Sequence, residues 1–308
     1  MKEHIRTCLY APLLALGQPV LASDYQWTKV LQAPIDESYF GTNDPRNRYD
    51  PLFEGHPVEG SVARRNGGYA WGVTSYHDEI WYGAFMNGWR LWLQPAGLPM
   101  PTPENRELYN YTSEKNACNL DEPSRPPVIQ VFNTKSNKLE VYQSDDPRFA
   151  EDMHNIVAIR AASTVNDIVF ITALLGPEAG LASGDMKSDE SYFFKGIRIF
   201  GINAATKQYL GSVTMKDLNE ARKMSVITHP DGSKGLYIGV SSRSGKSYLM
   251  RWTGNAKNPF PAGTRNAEYR GFEKVIDNSG HGLIGEVQSL QTPDGETRGR
   301  VRQGGVIS

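Results

Sequence analysis

Gly72–Ala84 (GVTSYHDEIWYGA), Arg160–Ala173 (RAASTVNDIVFITA) and Lys223–Val240 (KMSVITHPDGSKGLYIGV) are one pattern written three times. In each, a short alternating run passes through a polar turn into a second apolar run, Ile80–Ala84, Ile168–Ala173 or Leu236–Val240, which is the signal of a β-hairpin. Self-similarity at long spacing points to a repeat architecture before any single segment does.

A second kind of hairpin follows the first after a variable gap. Val128–Tyr142 (VIQVFNTKSNKLEVY) and Ile197–Val213 (IRIFGINAATKQYLGSV) share apolar alternation, then Asn133 or Asn203, then Ser136 or Thr206 in the turn. Asn, Ser and Thr favour such turns because their short polar side chains bond to nearby backbone. Two hairpins make a four-stranded unit, with strands a to d. The first unit is expected at Ala70–Ser75, Ile80–Phe85, Val128–Asn133 and Leu139–Gln143, and the second at Ile159–Ser163, Ile168–Ala173, Ile197–Asn203 and Gln208–Val213. The third is expected at Met224–Thr228, Leu236–Val240, Tyr248–Trp252 and Phe272–Asp277. A fourth begins at Val287–Gln291, and its turn Pro293-Asp294-Gly295 echoes Pro230-Asp231-Gly232. Asp24–Ser61 and Trp89–Leu93 (WRLWL) are candidates for further strands.

Serial four-stranded antiparallel units are the material of β-propellers. Over Gly68–Val301 the chain resembles the large group of secreted propeller repeat proteins, including the quinoprotein-like and seven-bladed propeller superfamily, through generic blade patterning and without the marks of a single family. The fold class expected is therefore all-β, a β-propeller-like array of four-stranded blades, complete or incomplete, with a β-sandwich with long loops as the competitor. Quinoprotein enzymes of that superfamily repeat docking tryptophans and often carry vicinal cysteines. Here the turns Asn133–Asn137 and Asn203–Lys207 lack the Thr-Gly pair and the later Trp, so no cofactor residue is carried over and no cofactor is expected.

The chain has 308 residues, 39% hydrophobic and 22% charged, with 30 Gly and 19 Pro, enough for a sizeable core with many turns. A formal net charge of −1 and the lack of a Lys/Arg stripe argue against nucleic acid. At the N-terminus Lys2, His4 and Arg6 precede a mostly apolar stretch from Cys8 to Leu21, and Val20-Leu21-Ala22 fits secretory cleavage after Ala22. The expected organisation is a signal peptide over 1–22, an extension or partial blade over 23–67, and a propeller-like domain over 68–308 with inserts at 86–127 and 174–196. The destination is the periplasm or the exterior. No segment has the ~20 apolar residues of a transmembrane helix. Cys118 is then the one mature thiol, and burial is the ordinary fate of such a residue. Asn110-Tyr111-Thr112 is a glycosylation acceptor in a host that makes such glycans.

The long b-to-c connections of units one and two share a face with the d-to-a connections, and insertions in repeat proteins gather on the binding face. Each long insert carries an acidic pair before strand c, Asp121-Glu122 and Asp189-Glu190, the second within DESYF, a run that also stands at Asp36–Phe40. With Tyr109, Tyr111, Tyr192 and Phe193 they form a candidate site for a cation or a sugar-like ligand; solvated loops whose aromatics cover blade edges are the competing explanation. Strands a of units two and three begin near Arg160 and Arg222, which are expected at the channel mouth, where a planar guanidinium suits carboxylate or phosphate. Pairing with acids such as Asp152 or Glu220 is the alternative for both. His154 and His281 belong to d-to-a loops and His77 and His229 to a-to-b turns at the other end, so no zinc site is expected. Ser244-Gly245-Lys246-Ser247 imitates a phosphate-binding loop but has Val240 where Gly belongs and a strand where a helix belongs. Gly67-Gly68 is expected as a turn before strand a.

The expectation is a binding or scaffold protein engaging a small-molecule, glycan or protein ligand through the insert-bearing face. The alternative is a propeller enzyme, a hydrolase, lyase or oxidoreductase, using Asp121 and Asp189 with Arg160, Arg222 or His154; that alternative requires the groups to converge on one substrate atom. A third possibility is a shortened remnant without activity.

Overall fold

Two-residue turns set the frame. His77 (φ 49°) and the pair Asn166 (φ 49°) and Asp167 (φ 62°) adopt left-handed backbone, which Asn, Asp and His tolerate better than other non-glycine residues. These turns close hairpins in which Tyr76 faces Glu79 and Val165 faces Ile168. In this computed structural model residues 32–41, 44–65, 67–86, 127–154, 156–175, 196–242, 244–261, 269–281, 283–291 and 297–304 are described. All of them except Gln32 lie in one unit, Ala33–Ser308.

The extension forms a small antiparallel sheet of β1 (Glu37–Tyr39), β2 (Arg48–Tyr49) and β3 (Val62–Arg64), in the order β2-β1-β3. Unit one is β4 (Gly67–Tyr76), β5 (Glu79–Met86), β6 (Ile129–Asn133) and β7 (Lys138–Val141). A short helix α1 (Pro147–Met153) leads into unit two, β8 (Ile156–Val165), β9 (Ile168–Leu175), β10 (Gly196–Asn203) and β11 (Tyr209–Met215). Unit three is β12 (Glu220–Thr228), β13 (Lys234–Ser241), β14 (Ser247–Trp252) and β15 (Phe272–Asp277). The last hairpin is β16 (Leu283–Gln291) with β17 (Thr297–Gly304), whose first strand starts before the expected Val287. Each unit is an antiparallel meander, and one bridge, Phe85 with Ala158, links the sheets of units one and two. The all-β array of four-stranded units is thus present with the expected strands b, c and d.

The first strands are longer than expected, and the reason is physical. Each carries a β-bulge: Trp71 in β4, Arg160 in β8, the pair Ala221–Arg222 opposite Val240 in β12, and Gly285 in β16. A bulge puts two residues opposite one, shifts the alternation by one position and re-aims the side chains beyond it. Period-2 reading therefore clips the strand near the bulge: the expected strands start one residue before it in β4 and β8 and two after it in β12 and β16. Gly67-Gly68 belongs to β4, not to a turn before it, and adjoins a second irregularity in that strand. Glu220, placed by the sequence outside strand a, opens β12.

The first strands pack in series, β4 against β8, β8 against β12 and β12 against β16. The core lies between units. Along β9 the residues alternate between two hydrophobic clusters: Ile168, Phe170 and Leu174 join unit three's Leu236, Ile238 and Val240, while Val169, Ile171 and Ala173 join unit one's Trp81, Ile129 and Val131. That double burial explains why β9 is apolar at almost every position. Gly72 and Gly83 face each other across β4 and β5, and Ile159 of unit two fills the notch; a Cβ on Gly83 would lie 2.2 Å from Ile159 Cδ1. Among the described residues no helix is long and apolar enough to cross a membrane.

Candidate functional site

In an antiparallel meander the b-to-c and d-to-a connections share one end and the a-to-b and c-to-d turns the other. At the first end the chain leaves β5 at Met86 and re-enters at Ile129, and leaves β9 at Leu175 and re-enters at Gly196, so both long connections begin and end there. The bulges of β4 and β8 lie in the half of each strand nearer that end: Trp71 stands six residues before His77, and Arg160 six before Asn166. Glu220 and Arg222 sit at the same end of β12.

These four residues form a continuous row across three units. The Arg160 guanidinium lies over the Trp71 ring, 4.0 Å from its centroid. Arg160 Nη2 donates to Glu220 Oε2 at 2.9 Å, and Arg222 Nε donates to the same oxygen at 3.1 Å. Arg160 is 8% exposed, whereas the Arg222 side chain is 57% exposed. Burial by itself pushes the Glu220 carboxyl up, but the charge of Arg160 with the charge and hydrogen bond of Arg222 outweighs it and holds the group below its ordinary range. Glu220 is therefore ionised at neutral pH and acts there as an acceptor. Arg160 Nε is buried and has no hydrogen-bond partner among the described residues. Buried donors are nearly always paired.

Thr172 holds the Arg160 bulge in shape. Its Oγ1 accepts from the Ala161 N–H at 2.9 Å, and the carbonyls of Ala161 and of Ala221 both lie 3.3 Å from it. One buried hydroxyl thus satisfies the donor that the bulge displaces and ties β9 to β12. Sequence reasoning missed Trp71, Glu220 as a strand residue, and Thr172. The available signal was a lone Thr in an otherwise apolar strand, next to a strand whose alternation breaks.

The other expected residues divide clearly. Arg160 and Arg222 come together through Glu220, so the alternative of acidic pairing holds for both, with Asp152 taken instead by Tyr209 and Arg198. His154 is exposed and ends α1, its backbone N–H bonding the Ala150 and Glu151 carbonyls; it does not join the row. That helix was not expected, although Asp146-Pro147 announces it: Asp146 accepts from the Arg148 N–H as N-cap and Pro147 stands in the first turn. Asp121, Glu122, Asp189 and Glu190, with Tyr109, Tyr111, Tyr192, Phe193, Cys118, Asn110 and Trp89–Leu93, lie outside the described residues, as do residues 1–31.

Two serine–histidine contacts invite comparison with nucleophilic sites. Ser38 Oγ lies 2.6 Å from His56 Nδ1, but the serine is fully buried and its oxygen also accepts from the Val58 N–H at 2.8 Å, so the contact staples β1 to the loop before β3. In the unit-three turn His229 Nδ1 lies 3.0 Å from Ser233 Oγ, whose hydroxyl donates to Asp231 at 2.6 Å; serine, not histidine, is the bridge, the reverse of an activated nucleophile. Beside the row, Asp217 Oδ2 accepts from Lys246 at 2.6 Å and from Tyr269 at 2.7 Å, which gives the SGKS turn a structural ion pair. Gly245 (φ 90°) makes the b-to-c turn of unit three. Among the described residues no group of three or more His, Cys, Asp and Glu side chains gathers as metal ligands do.

No family model matches the chain, and no curated protein matches it.

Proposed function

We propose that the chain is an exported, propeller-like binding protein whose ligand approaches the end bearing the long connections and reaches the row Trp71, Arg160, Glu220 and Arg222. The observation that carries this reading is the repeated bulge. Three successive units spend ladder hydrogen bonds at matching places, and the result is one aromatic ring, two guanidiniums and one carboxylate side by side, with a buried donor left over. A scaffold held by packing alone has no use for that arrangement, since charged side chains inside an array cost desolvation that apolar ones do not. The ionised state of Glu220 favours recognition over acid catalysis, because it offers no proton at neutral pH.

The test is binding measured by tryptophan fluorescence and calorimetry on the purified chain against citrate, inorganic phosphate and neutral oligosaccharides. Saturable binding of any probe that is lost in Trp71→Ala, with thermal unfolding still cooperative, supports the reading. If no probe binds, or if bound probes ignore both Trp71→Ala and Arg160→Lys, the row is structural and the reading falls.

A further inference from the structure

We propose that Tyr237 is a nucleophilic phenol with His229 as its base, an acyl-accepting site at the end of the array opposite the long connections. The site lies at the a-to-b turn of unit three, between β12 and β13, and is independent of the binding reading above. The direction of the hydrogen bonds carries the argument. The hydroxyl and the backbone N–H of Ser233 hold Asp231 below its ordinary range, so at neutral pH its carboxylate is ionised and only accepts. The Ser233 hydroxyl spends its proton on Asp231 Oδ1, at 2.6 Å, and its oxygen is left to accept from His229 Nδ1, at 3.0 Å. Nδ1 therefore carries the proton of the neutral imidazole. The lone pair of Nε2 then faces the proton of Tyr237 Oη, 2.9 Å away.

A base oriented by a third group and within hydrogen-bond reach of a nucleophile is the arrangement that activates hydroxyls and phenols. Here serine orients the histidine, and tyrosine is the group activated. The backbone is cut to fit the pair. A Cβ at Gly235 would lie 2.8 Å from His229 Nε2 and 2.8 Å from Tyr237 Cε2, so the two rings meet in the space that a glycine leaves. Leu249 packs against the Tyr237 ring and fixes it, while Tyr237 and His229 both remain partly exposed. Arg251 stands opposite Tyr237 in the β13–β14 register. Glu273 above all, with Tyr237 in addition, holds its guanidinium above the ordinary value. That cation favours the negative charge that develops on Oη as the proton leaves. Arg251 bonds Glu273 through Nε, at 2.8 Å, and through Nη2, so its charge is already matched, which suits a neutral ester rather than a phosphoryl donor.

The step is acyl transfer. Tyr237 Oη attacks the ester carbonyl carbon as its proton passes to His229 Nε2. The bond from that carbon to the alcohol oxygen breaks, and the departing oxygen takes the proton from Nε2. The products are an O-acyl tyrosine and the free alcohol.

The experiment treats the purified full chain with p-nitrophenyl acetate and follows the acetylation of each tyrosine by peptide mass spectrometry. Tyr76, at the a-to-b turn of unit one, is the internal reference, because desolvation and the Asp167 carboxylate push its phenol up. Tyr237 should be acetylated at least about tenfold faster than Tyr76. His229→Gln keeps a hydrogen-bond acceptor but no base, and should bring the ratio of the two rates to within about twofold of unity. In His229→Ala, added imidazole should raise the ratio again. Ser233→Ala should lower it about threefold and Ser233→Thr, which returns the hydroxyl, should recover it, a pattern that packing in the turn would not produce. A ratio near one in the native chain overturns the proposal before any variant is made. So does a high ratio that His229→Gln leaves unchanged while thermal unfolding stays cooperative.

Discussion

The contact between units one and two and the contact between units two and three use the same strands differently. Where β8 meets β4, the partners are apolar or neutral: Ile159 sits in the Gly72–Gly83 notch, and Thr74 Oγ1 lies 2.9 Å from Thr164 Oγ1. Where unit two meets unit three, polar partners join the apolar core: Arg160 of β8 reaches Glu220 of β12, and Thr172 of β9 reaches the Ala221 carbonyl. Neighbouring residues of one strand thus differ: Ile159 packs into unit one alone, whereas the bulged Arg160 lies over Trp71 of unit one and reaches on to Glu220 of unit three. The first contact is a steric lock and the second is where chemistry has been admitted. Perturbing each separately should give different signatures.

The largest effect is expected at the lock. A Cβ on Gly83 would fall 2.2 Å from Ile159 Cδ1 and 2.8 Å from Ile159 Cβ, so the neighbour cannot yield by a side-chain rotation alone. Gly83→Ala should cost about 3 kcal/mol, the upper part of the overpacking range. Ile159→Ala alone should cost about 3 kcal/mol through the lost burial. The double variant should be more stable than the sum by at least about 1 kcal/mol, since the second change makes room for the first. Strict additivity in denaturant unfolding would mean that the notch is not where the units register.

Next comes the polar contact. Glu220→Gln leaves Arg160 buried without its counter-charge, and breaking such a pair costs about 3 kcal/mol. Because the folded carboxyl lies below its ordinary value of 4.5, its contribution is present above pH 4.5 and disappears as the pH falls through the lower, folded value. The native chain should therefore lose stability more steeply below pH 4.5 than Glu220→Gln does. Parallel acid-unfolding curves for the two would remove Glu220 as the group responsible. Gly83→Ala, by contrast, should shift the whole curve without changing its acid slope.

What the sequence discloses and what it hides separate along the same line. Strands b and c follow alternation or an unbroken apolar run, as in Ile168–Leu175, so their places were legible, and the single irregularities in β11 and β15 did not hide strands d. The first strands were legible only to within a residue or two of their bulges, because an inserted residue reverses the face of everything before it. That is why Glu220 fell outside the expected strand a of unit three. Arg160 and Arg222 were visible as charges in apolar context, but their shared acceptor depends on two strands meeting 60 positions apart in the chain. The Gly72–Gly83 notch was equally hidden, since a glycine in a strand does not say which side chain will fill its space.

Thr172 offers a finer probe of the bulge. Thr172→Val keeps the shape but leaves the Ala161 N–H without its acceptor, and an unsatisfied buried donor costs about 2 kcal/mol. Thr172→Ser restores the oxygen and should recover most of that loss, so that only the missing methyl remains. Equal destabilisation by both would show that packing, not the hydroxyl, supports the Arg160 bulge.

The smallest effect sets the scale for charge in this fold. Lys135 and Asp78 join the two turns of unit one at 2.7 Å, a shorter approach than that of Arg160 to Glu220. Distance alone would rank the turn pair higher. Yet Lys135 is 77% and Asp78 44% exposed, and water and salt screen such a pair while its long side chain loses entropy on being held. Lys135→Ala should therefore change stability by no more than about 0.5 kcal/mol, within the usual span for exposed substitutions. The same pairing of charge is thus expected to weigh several times more between β8 and β12 than at the turns, because one site is sheltered and the other is not. A loss at Lys135 comparable with that at Glu220 would mean that burial is not what distinguishes the inner row.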